Sequence, residues 1–234
     1  MNRLMIRWIG QNGYILSDGK TEICIDPYLS DLVERLHDFK RMVKAPVAPQ
    51  EVKSDVVICT HRHIDHVDTD AIPLMNKENM LFLAPQDAEE VLRECGVTNY
   101  KSFDCGDSIT VGEFTFTAVF ADHTVPAIGV VVKHGDVTLY FAGDTLYNEK
   151  LEDIKEFGID ISFICINGKL GNMNVEDAIK LTTIINPKVA VPTHYGMFAN
   201  NTEDPEKYIS RLENGFEMEH NVEYDVRELI NKFV

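Results

Sequence analysis

The chain has 234 residues, of which 44% are hydrophobic and 26% charged, and its formal net charge is −16 at pH 7. This size and composition predict one globular domain over residues 1–234, and the negative charge disfavours nucleic acid as a partner because phosphate binding requires clustered lysine and arginine. Five scattered cysteines without a C-x-x-C pair, and no leader-like or membrane-spanning apolar stretch, predict a cytoplasmic protein without a membrane partner.

The N-terminal third is predicted to form short strands joined by tight turns. Extended, apolar-rich segments at residues 4–9, 14–17 and 21–26 are separated by the turn sequences Gln11-Asn12-Gly13 and Asp18-Gly19. The segment 31–44 is then predicted to form a short helix closed by two prolines, and residues 54–60 a short buried strand.

Strands and helices alternate along the rest of the chain. The further predicted helices are residues 68–79, 86–95, 149–157 and 175–185. The further predicted strands are residues 80–84, 108–122, 128–134, 137–142, 160–166 and 188–192. Two strand-rich stretches, each followed by strand–helix alternation, predict two sheets with helices on their outer faces.

Four potential metal ligands follow the buried strand at residues 54–60. They are His61, His63, Asp65 and His66, all within six consecutive positions. Imidazole and carboxylate are the groups that Zn²⁺ and similar divalent ions prefer, and a loop leaving a strand end can direct them toward more than one centre. A merely solvated polar loop is the simpler alternative, but this spacing after an apolar strand disfavours it.

Three later strands also end at a potential ligand. These ligands are His123, Asp144 and His194. Each alone is more typical of a turn or a cap. Together with the first group they supply seven ligands, which is enough for two ions with room left for water.

The order H-x-H-x-D-H, then His, then Gly-Asp, then His resembles the metallo-β-lactamase superfamily. This resemblance runs from the opening strands, including Ile25-Asp26-Pro27, to about His194, and it implies a four-layer αββα sandwich of two mixed sheets flanked by helices. It implies one metal held by His61, His63 and His123, and a second held by Asp65, His66 and His194, with Asp144 bridging them. Asp26 matches a supporting position in the family and is not counted as a ligand.

Within the superfamily, the chain looks most like the ascorbate-6-phosphate lactonase group. Three segments carry this narrower resemblance: residues 8–13, Met173 with residues 176–178, and residues 191–195. It implies a metal-dependent hydrolase acting on a small ester or lactone, including a phosphorylated sugar-acid lactone. The chain is much shorter than those lactonases, and His123 departs from that group's third motif.

The resemblance also implies a mechanism. Two ions of zinc or manganese, or alternatively iron, would lie about 3.5–4 Å apart and acidify a water to hydroxide. Asp65 would act as the catalytic carboxylate by binding one ion and orienting this nucleophile. The developing oxyanion would be stabilised at the second ion.

Candidate substrate-binding residues follow the last two strands that end near the site. Tyr195 either reaches the pocket or packs beside it, while Lys169 and Asn172 either bind a small anionic substrate or belong to a solvated loop. Basic residues of the segment 31–44 recur at helical spacing and form either a lid over the substrate or an exposed face. These residues are His37, Lys40, Arg41 and Lys44.

Three other functions compatible with this ligand pattern remain open. A phosphodiesterase or ribonuclease of the same fold is the nearest, because two-metal sites also suit phosphoryl transfer. A diiron redox protein is disfavoured by His63 and by the lack of a following flavin domain, and a non-catalytic metal-binding protein by the complete ligand set. The sequence leaves open the metal, the substrate and whether the chain forms a homo-oligomer.

Overall fold

The computed structural model describes residues 3–234, so the first two residues of the predicted domain lie outside the described range. Thirteen strands are found among these residues. In chain order they are β1 (Met5–Gly10), β2 (Gly13–Ser17), β3 (Glu22–Ile25), β4 (Val56–Ile58), β5 (Leu81–Ala84), β6 (Tyr100–Ser102), β7 (Ser108–Val111), β8 (Phe114–Phe120), β9 (Ile128–His134), β10 (Val137–Phe141), β11 (Ile161–Cys165), β12 (Val189–Thr193) and β13 (Glu223–Asp225).

The strands form two mixed sheets. The first has the order β13-β1-β2-β3-β4-β5-β6, antiparallel up to β3 and parallel from β3 to β6. The second has the order β12-β11-β10-β9-β8-β7, parallel from β12 to β10 and antiparallel beyond. The prediction of two mixed sheets is therefore confirmed.

The helices are short, apart from one. They are α1 (Leu32–His37), α2 (Glu89–Glu94), α3 (Val175–Ile185), α4 (Glu206–Ile209) and α5 (Val226–Ile230). Segments of 3-10 helix lie at Pro49–Glu51, Ile72–Leu74, Lys77–Asn79, Gln86–Ala88 and Glu149–Phe157. None of the helices within residues 3–234 has the length and apolar character needed to cross a membrane.

Side-chain alternation explains why helices cover both outer faces. In β3, Ile23 and Ile25 face the core between the sheets, while Cys24 faces outward into a second apolar cluster that includes Leu92 of α2. On the other sheet, α3 packs against β11. Four layers result, with the main core between the two sheets.

Two predicted helices are shorter than expected. Helix α1 ends at His37, because Asp38 adopts a left-handed backbone with φ of 56°, so residues 39–44 are not helical. The predicted helix 68–79 is replaced by two 3-10 turns. Pro73 cannot donate a backbone hydrogen bond there, and the Asp68 carboxylate binds the amides of Asp70 and Ala71 instead.

Helix α3 spans the predicted residues, and its first turn shows why. The Asn174 side chain accepts a hydrogen bond of 3.0 Å from the Asp177 amide, so Asn174 caps the helix. Asn186, in the left-handed conformation, ends it.

Candidate metal centre

The seven predicted ligands converge at one end of the sandwich, on loops that follow strand ends. The loop after β4 carries four of them, and β8, β10 and β12 each lead to one more. Their ligand atoms form three groups, in each of which all atoms lie within 4.8 Å of one another. These groups are His61, His63 and His123; His61, His66 and Asp144; and Asp65, His66 and His194.

The first group is formed by three imidazole rings. His63 Nδ1 lies 2.9 Å from His61 Nε2 and 3.1 Å from His123 Nε2. His61 is fully buried, while His63 lines an open cavity. Three ring nitrogens brought this close would suit a shared cation. One face of that cation would remain open to substrate.

Asp144 lies between the two predicted centres. Its Oδ1 is 3.3 Å from His66 Nε2, and its Oδ2 is 3.2 Å from His194 Nε2 and 3.9 Å from His123 Nε2. One carboxylate therefore reaches ligands from both predicted sets. Asp65 Oδ2 lies 3.6 Å from His194 Nε2 and 3.8 Å from His66 Nε2, on the side of the second set.

Hydrogen bonds on the far side of two rings determine which ring nitrogens are free. His123 Nδ1 lies 3.0 Å from the Gly171 carbonyl oxygen, which can only accept, so this nitrogen carries the proton. The Thr60 hydroxyl donates to Asp26 and can therefore only accept from His61 Nδ1 at 3.2 Å. The Nε2 atoms of both rings are left with lone pairs that point toward the centre.

Asp26 fixes His66 in the same way. The buried Asp26 carboxylate lies 2.8 Å from His66 Nδ1 and accepts from the Thr60 amide and hydroxyl. His66 Nε2 is buried and has no hydrogen-bond partner among the described residues. A carboxylate behind a ring whose other nitrogen is free is the arrangement that orients metal-binding histidines, so these residues fit divalent cations.

The pKa shifts of the first ligand set agree with this arrangement, whereas in the second set the neighbouring carboxylates outweigh the effect of burial, raising the pKa of His66 well above its usual value and that of His194 to about 9. Burial and the neighbouring His66 lower the pKa of His61 well below its usual value, and burial and His123 lower the pKa of His63. Both rings are therefore neutral at pH 7, as metal ligands must be. Burial alone would raise the pKa of Asp144, but His194 and His66 hold it well below its usual value, so the carboxylate is charged.

Two residues of the β1–β2 turn belong to the site and were not predicted to. Gln11 Nε2 donates to Asp65 Oδ2 at 2.8 Å and lies 3.0 Å from His194 Nε2. Asn12 Nδ2 donates to Asp144 Oδ1 at 2.6 Å. In the sequence this segment indicates a turn and carries part of the narrower family resemblance, but no spacing rule separates a turn amide from one that supports a ligand.

Unusual backbone conformations are concentrated around the site. Gln11, Asp26, Leu170 and His194 all have φ between 43° and 61°, a region that residues other than glycine rarely adopt. Such conformations persist only where the surrounding structure enforces them, and they are common at functional sites.

An open cavity of about 680 Å³ lies beside the ligands. His63, Asp65, Asp144 and His194 line its floor. Most of the remaining wall is apolar, and is formed by Val33, Phe39, Ile64, Leu170 and Phe198. Its polar wall residues are His37, Arg62, Thr124 and Asn201. A small organic molecule with an apolar body would fit this space.

The three predicted substrate residues do not line this cavity. The Tyr195 hydroxyl lies 3.4 Å from Glu217 Oε1 and its ring packs against Trp8, which corresponds to the alternative of packing beside the site. Lys169 Nζ donates to the Asn200 carbonyl oxygen, and Asn172 Nδ2 donates to Asn167. Leu170 and Gly171, which lie between them, form the wall instead.

The segment 31–44 contributes to the cavity mainly through apolar groups. Val33, His37 and Phe39 line the wall, whereas Lys40 and Lys44 do not. The Arg41 guanidinium donates 2.7 Å hydrogen bonds to two backbone carbonyl oxygens and lies over the Tyr28 ring. Apart from His37, the predicted basic stripe is therefore not directed at the site, because α1 ends before residues 40–44.

Comparison with known sequences supports a metal-dependent enzyme. The family model described as the beta-lactamase superfamily domain matches residues 21–195. A UPF0173 metal-dependent hydrolase of Thermus thermophilus is 31% identical over 216 residues, which covers 88% of this chain and 90% of that protein.

Solved structures of two further proteins share the fold. Igni18, a metallo hydrolase from the archaeon Ignicoccus hospitalis, superposes with a TM-score of 0.75 at 22% identity and covers 94% of this chain and 98% of its own. A possible metal-dependent hydrolase from Veillonella parvula gives a TM-score of 0.82 at 16% identity, covering 95% of this chain and 99% of its own. These structures confirm the predicted αββα sandwich.

Proposed function

The chain belongs to the metallo-β-lactamase superfamily and, within it, to the UPF0173 metal-dependent hydrolases, and on this premise we propose that it hydrolyses a small ester or lactone with two divalent metal ions. The observation that carries the proposal is the set of ring nitrogens whose lone pairs converge beside a cavity of substrate size. We propose zinc or manganese as the ions, with iron as the alternative, since His and Asp ligands accept all three.

The roles of the ligands follow from their contacts. His61, His63 and His123 would hold one ion, and Asp65, His66 and His194 the other, with Asp144 reaching both. When bound, such ions supply Lewis acidity and lower the pKa of water, and hence provide a nucleophile at neutral pH. No serine or cysteine nucleophile is then required.

Asp65 has a further role in this proposal. Its Oδ2 accepts from Gln11, while no described residue donates to its Oδ1. Asp65 also lines the cavity. The free oxygen can accept a hydrogen bond from the attacking water and direct the water's lone pair toward the substrate carbonyl carbon.

The cavity favours a substrate with an apolar body over a phosphorylated sugar acid. Five of its wall side chains are aliphatic or aromatic, and its one arginine, Arg62, is paired with Asp87 at 2.5 Å. An unpaired arginine for a substrate phosphate would therefore be available only if that ion pair broke. Our leading candidates are therefore unphosphorylated esters and lactones, and phosphodiesters would contradict this choice.

Two measurements test the proposal. Elemental analysis after mild purification should find two ions per chain, and a single ion would contradict the two-metal site. The metal-loaded protein should then hydrolyse p-nitrophenyl butyrate or γ-lactones, but not bis(p-nitrophenyl) phosphate, in a substrate panel. Activity toward the phosphodiester alone would overturn the choice of ester and lactone.

An Asp65→Ala variant tests the role of this carboxylate in catalysis. The variant should lose turnover while retaining the folded far-ultraviolet circular dichroism spectrum, since Asp65 lies in a loop and not in the core. Retained turnover would remove Asp65 from the mechanism. Asp153→Ala, a change at an exposed aspartate outside the site, should leave turnover unaltered.

A further inference from the structure

Asn201 is a buried polar residue that lines the cavity and is not one of the predicted metal ligands. It is 4% exposed and shares the cavity with Asp65, Asp144 and His194. Its backbone is held by a hydrogen bond of 3.1 Å from its amide to the Phe198 carbonyl oxygen. The residue is therefore fixed in the wall of the cavity that the predicted metal ligands also line.

Its side-chain orientation follows from a chain of three amides. Asn167 Nδ2 lies 3.3 Å from the Lys169 backbone carbonyl oxygen, which can only accept, so this atom must be the nitrogen. The same nitrogen donates to Asn201 Oδ1 at 2.8 Å. Asn172 Nδ2 in turn donates to Asn167 Oδ1 at 3.1 Å. A backbone carbonyl thus fixes which way every amide in the chain is turned.

One donor is left over. Because Asn201 Oδ1 faces Asn167, its Nδ2 must point the other way, and Nδ2 forms no hydrogen bond to any residue between 3 and 234. Nor is it among the buried atoms cut off from solvent. An amide donor that is fixed by its neighbours and open to the cavity resembles the donors that stabilise developing negative charge on a carbonyl oxygen.

We propose that Asn201 Nδ2 binds the carbonyl oxygen of the substrate and stabilises the oxyanion that forms when water attacks. The inference deepens the proposed ester or lactone hydrolysis and rests on it. The amide chain Asn172–Asn167–Asn201 acts as the support that keeps this donor in place. The chemistry transfers no group to Asn201, which only donates a hydrogen bond.

An Asn201→Asp variant separates the two roles of this side chain. The aspartate retains an oxygen that can accept from Asn167, so the support is preserved, but it removes the donor. We expect kcat/KM for p-nitrophenyl butyrate to fall about 100-fold or more, with unchanged metal content and unfolding temperature. Asn200→Asp makes the same change at the exposed neighbouring residue and should leave kcat/KM within about twofold of the unsubstituted protein.

A second measurement does not depend on turnover or on the folding of the variant. In protein labelled with ¹⁵N-asparagine and loaded with zinc, the side-chain resonances of Asn201 are assigned by their absence in Asn201→Asp or, if that variant is unfolded, in Asn201→Ser. We expect these resonances to shift when butyrate, the product of the model ester, is added.

The outcomes distinguish this inference from the proposed function. Absence of hydrolysis across the whole ester and lactone panel would overturn the function, and the resonance shift would still test the donor. Active protein in which Asn201→Asp and Asn200→Asp behave alike, or in which butyrate leaves the Asn201 resonances unmoved, would overturn the role of Asn201 alone.

Discussion

The side-chain amide of Asn12 donates a 2.6 Å hydrogen bond to Asp144 Oδ1, the carboxylate that lies between the two predicted metal positions. Asn12 Oδ1 accepts from the Thr193 hydroxyl at 2.9 Å. Since Thr193 directly precedes His194, one residue of the β1–β2 turn links the carboxylate that we propose to bridge the ions to a predicted ligand in another loop. This contact connects the first sheet to two strands of the second.

Removing this amide should weaken metal binding. In Asn12→Ala, Asp144 loses the donor that orients it, and residues supporting a ligand typically contribute 10–100-fold to metal affinity. We therefore expect zinc affinity, measured by competition with a chromogenic chelator, to fall by about that factor. Asn99→Ala, an exposed asparagine outside the site, is the matched control. Equal affinities in the two variants would show that Asn12 does not position Asp144.

The convergence of the proposed ligands can be predicted from the sequence because each follows an apolar strand, and these strands of the two sheets finish at the same end of the sandwich. The local spacing of His61, His63 and Asp65 is enough to predict them as ligands. The order of the ligand motifs along the chain extends this prediction to His194. The same rule cannot reach Asn12 or Gln11. In the sequence these residues satisfy the requirements of a turn, and only the pairing of β1 with β2 brings their amides to Asp65 and Asp144.

The cavity wall could not be predicted for a different reason. The basic residues of the segment 31–44 lie at helical spacing, which suggested a charged face, but the left-handed conformation of Asp38 ends α1 and sends Arg41 back toward Tyr28. Helical spacing places side chains on one face only while the helix continues, and α1 ends before residues 40–44. Phe39 and Phe198, far apart in the chain, meet at the cavity only through tertiary packing.

A side chain at Gly143 should destabilise the fold. Gly143 has φ of 62°, and a Cβ there would lie 3.0 Å from the Ile128 carbonyl oxygen and 3.1 Å from Thr60 Cβ. We expect Gly143→Ala to lower the free energy of unfolding by about 1–2 kcal/mol for the left-handed backbone and by about 1–3 kcal/mol more for the crowding, measured by urea denaturation.

Gly158 provides a control with almost the same backbone. Its φ is 63°, but a Cβ there would meet nothing within 4 Å. Gly158→Ala should therefore show only the backbone cost. If the two variants were equally stable, the close approach of Thr60 and Ile128 to Gly143 would have no energetic consequence.

Asp18 lies outside the predicted metal site and should make the free energy of unfolding depend on pH. Burial would raise the pKa of this carboxyl, but the amides of Thr21 and Lys20 and the ring of His134 lower it below its usual value. A carboxyl with a lowered folded pKa stabilises the protein above its unfolded pKa of about 3.9, and this contribution is lost as the pH falls through the folded pKa.

The variant Asp18→Asn tests this contribution. At pH 7 it should lower the free energy of unfolding by about 1–3 kcal/mol, because hydrogen bonds to a charged acceptor are replaced by weaker ones. The difference from the unsubstituted protein should stay constant down to about pH 5 and shrink below about pH 4. Asp153→Asn, at an exposed carboxylate, should leave the free energy of unfolding at pH 7 unaltered, and a difference for Asp18→Asn that grew on acidification would contradict the assignment.

Leu170 should affect substrate choice without affecting stability. It is 63% exposed yet lines the cavity, on the loop whose Gly171 carbonyl oxygen orients His123. Because so little of its surface is buried in the free protein, Leu170→Ala should leave the unfolding temperature unchanged. Removing its methyl groups from a bound apolar chain should cost about 1–3 kcal/mol, or about 10–200-fold in kcat/KM for long-chain p-nitrophenyl esters, and much less for the acetate.

Leu36→Ala provides the control. Leu36 is 59% exposed and lies outside the cavity wall, so this variant should leave kcat/KM unaltered for both the long-chain ester and the acetate. Equal losses for the long-chain ester and the acetate in Leu170→Ala would mean that this side chain acts on His123 through its loop and not on the substrate.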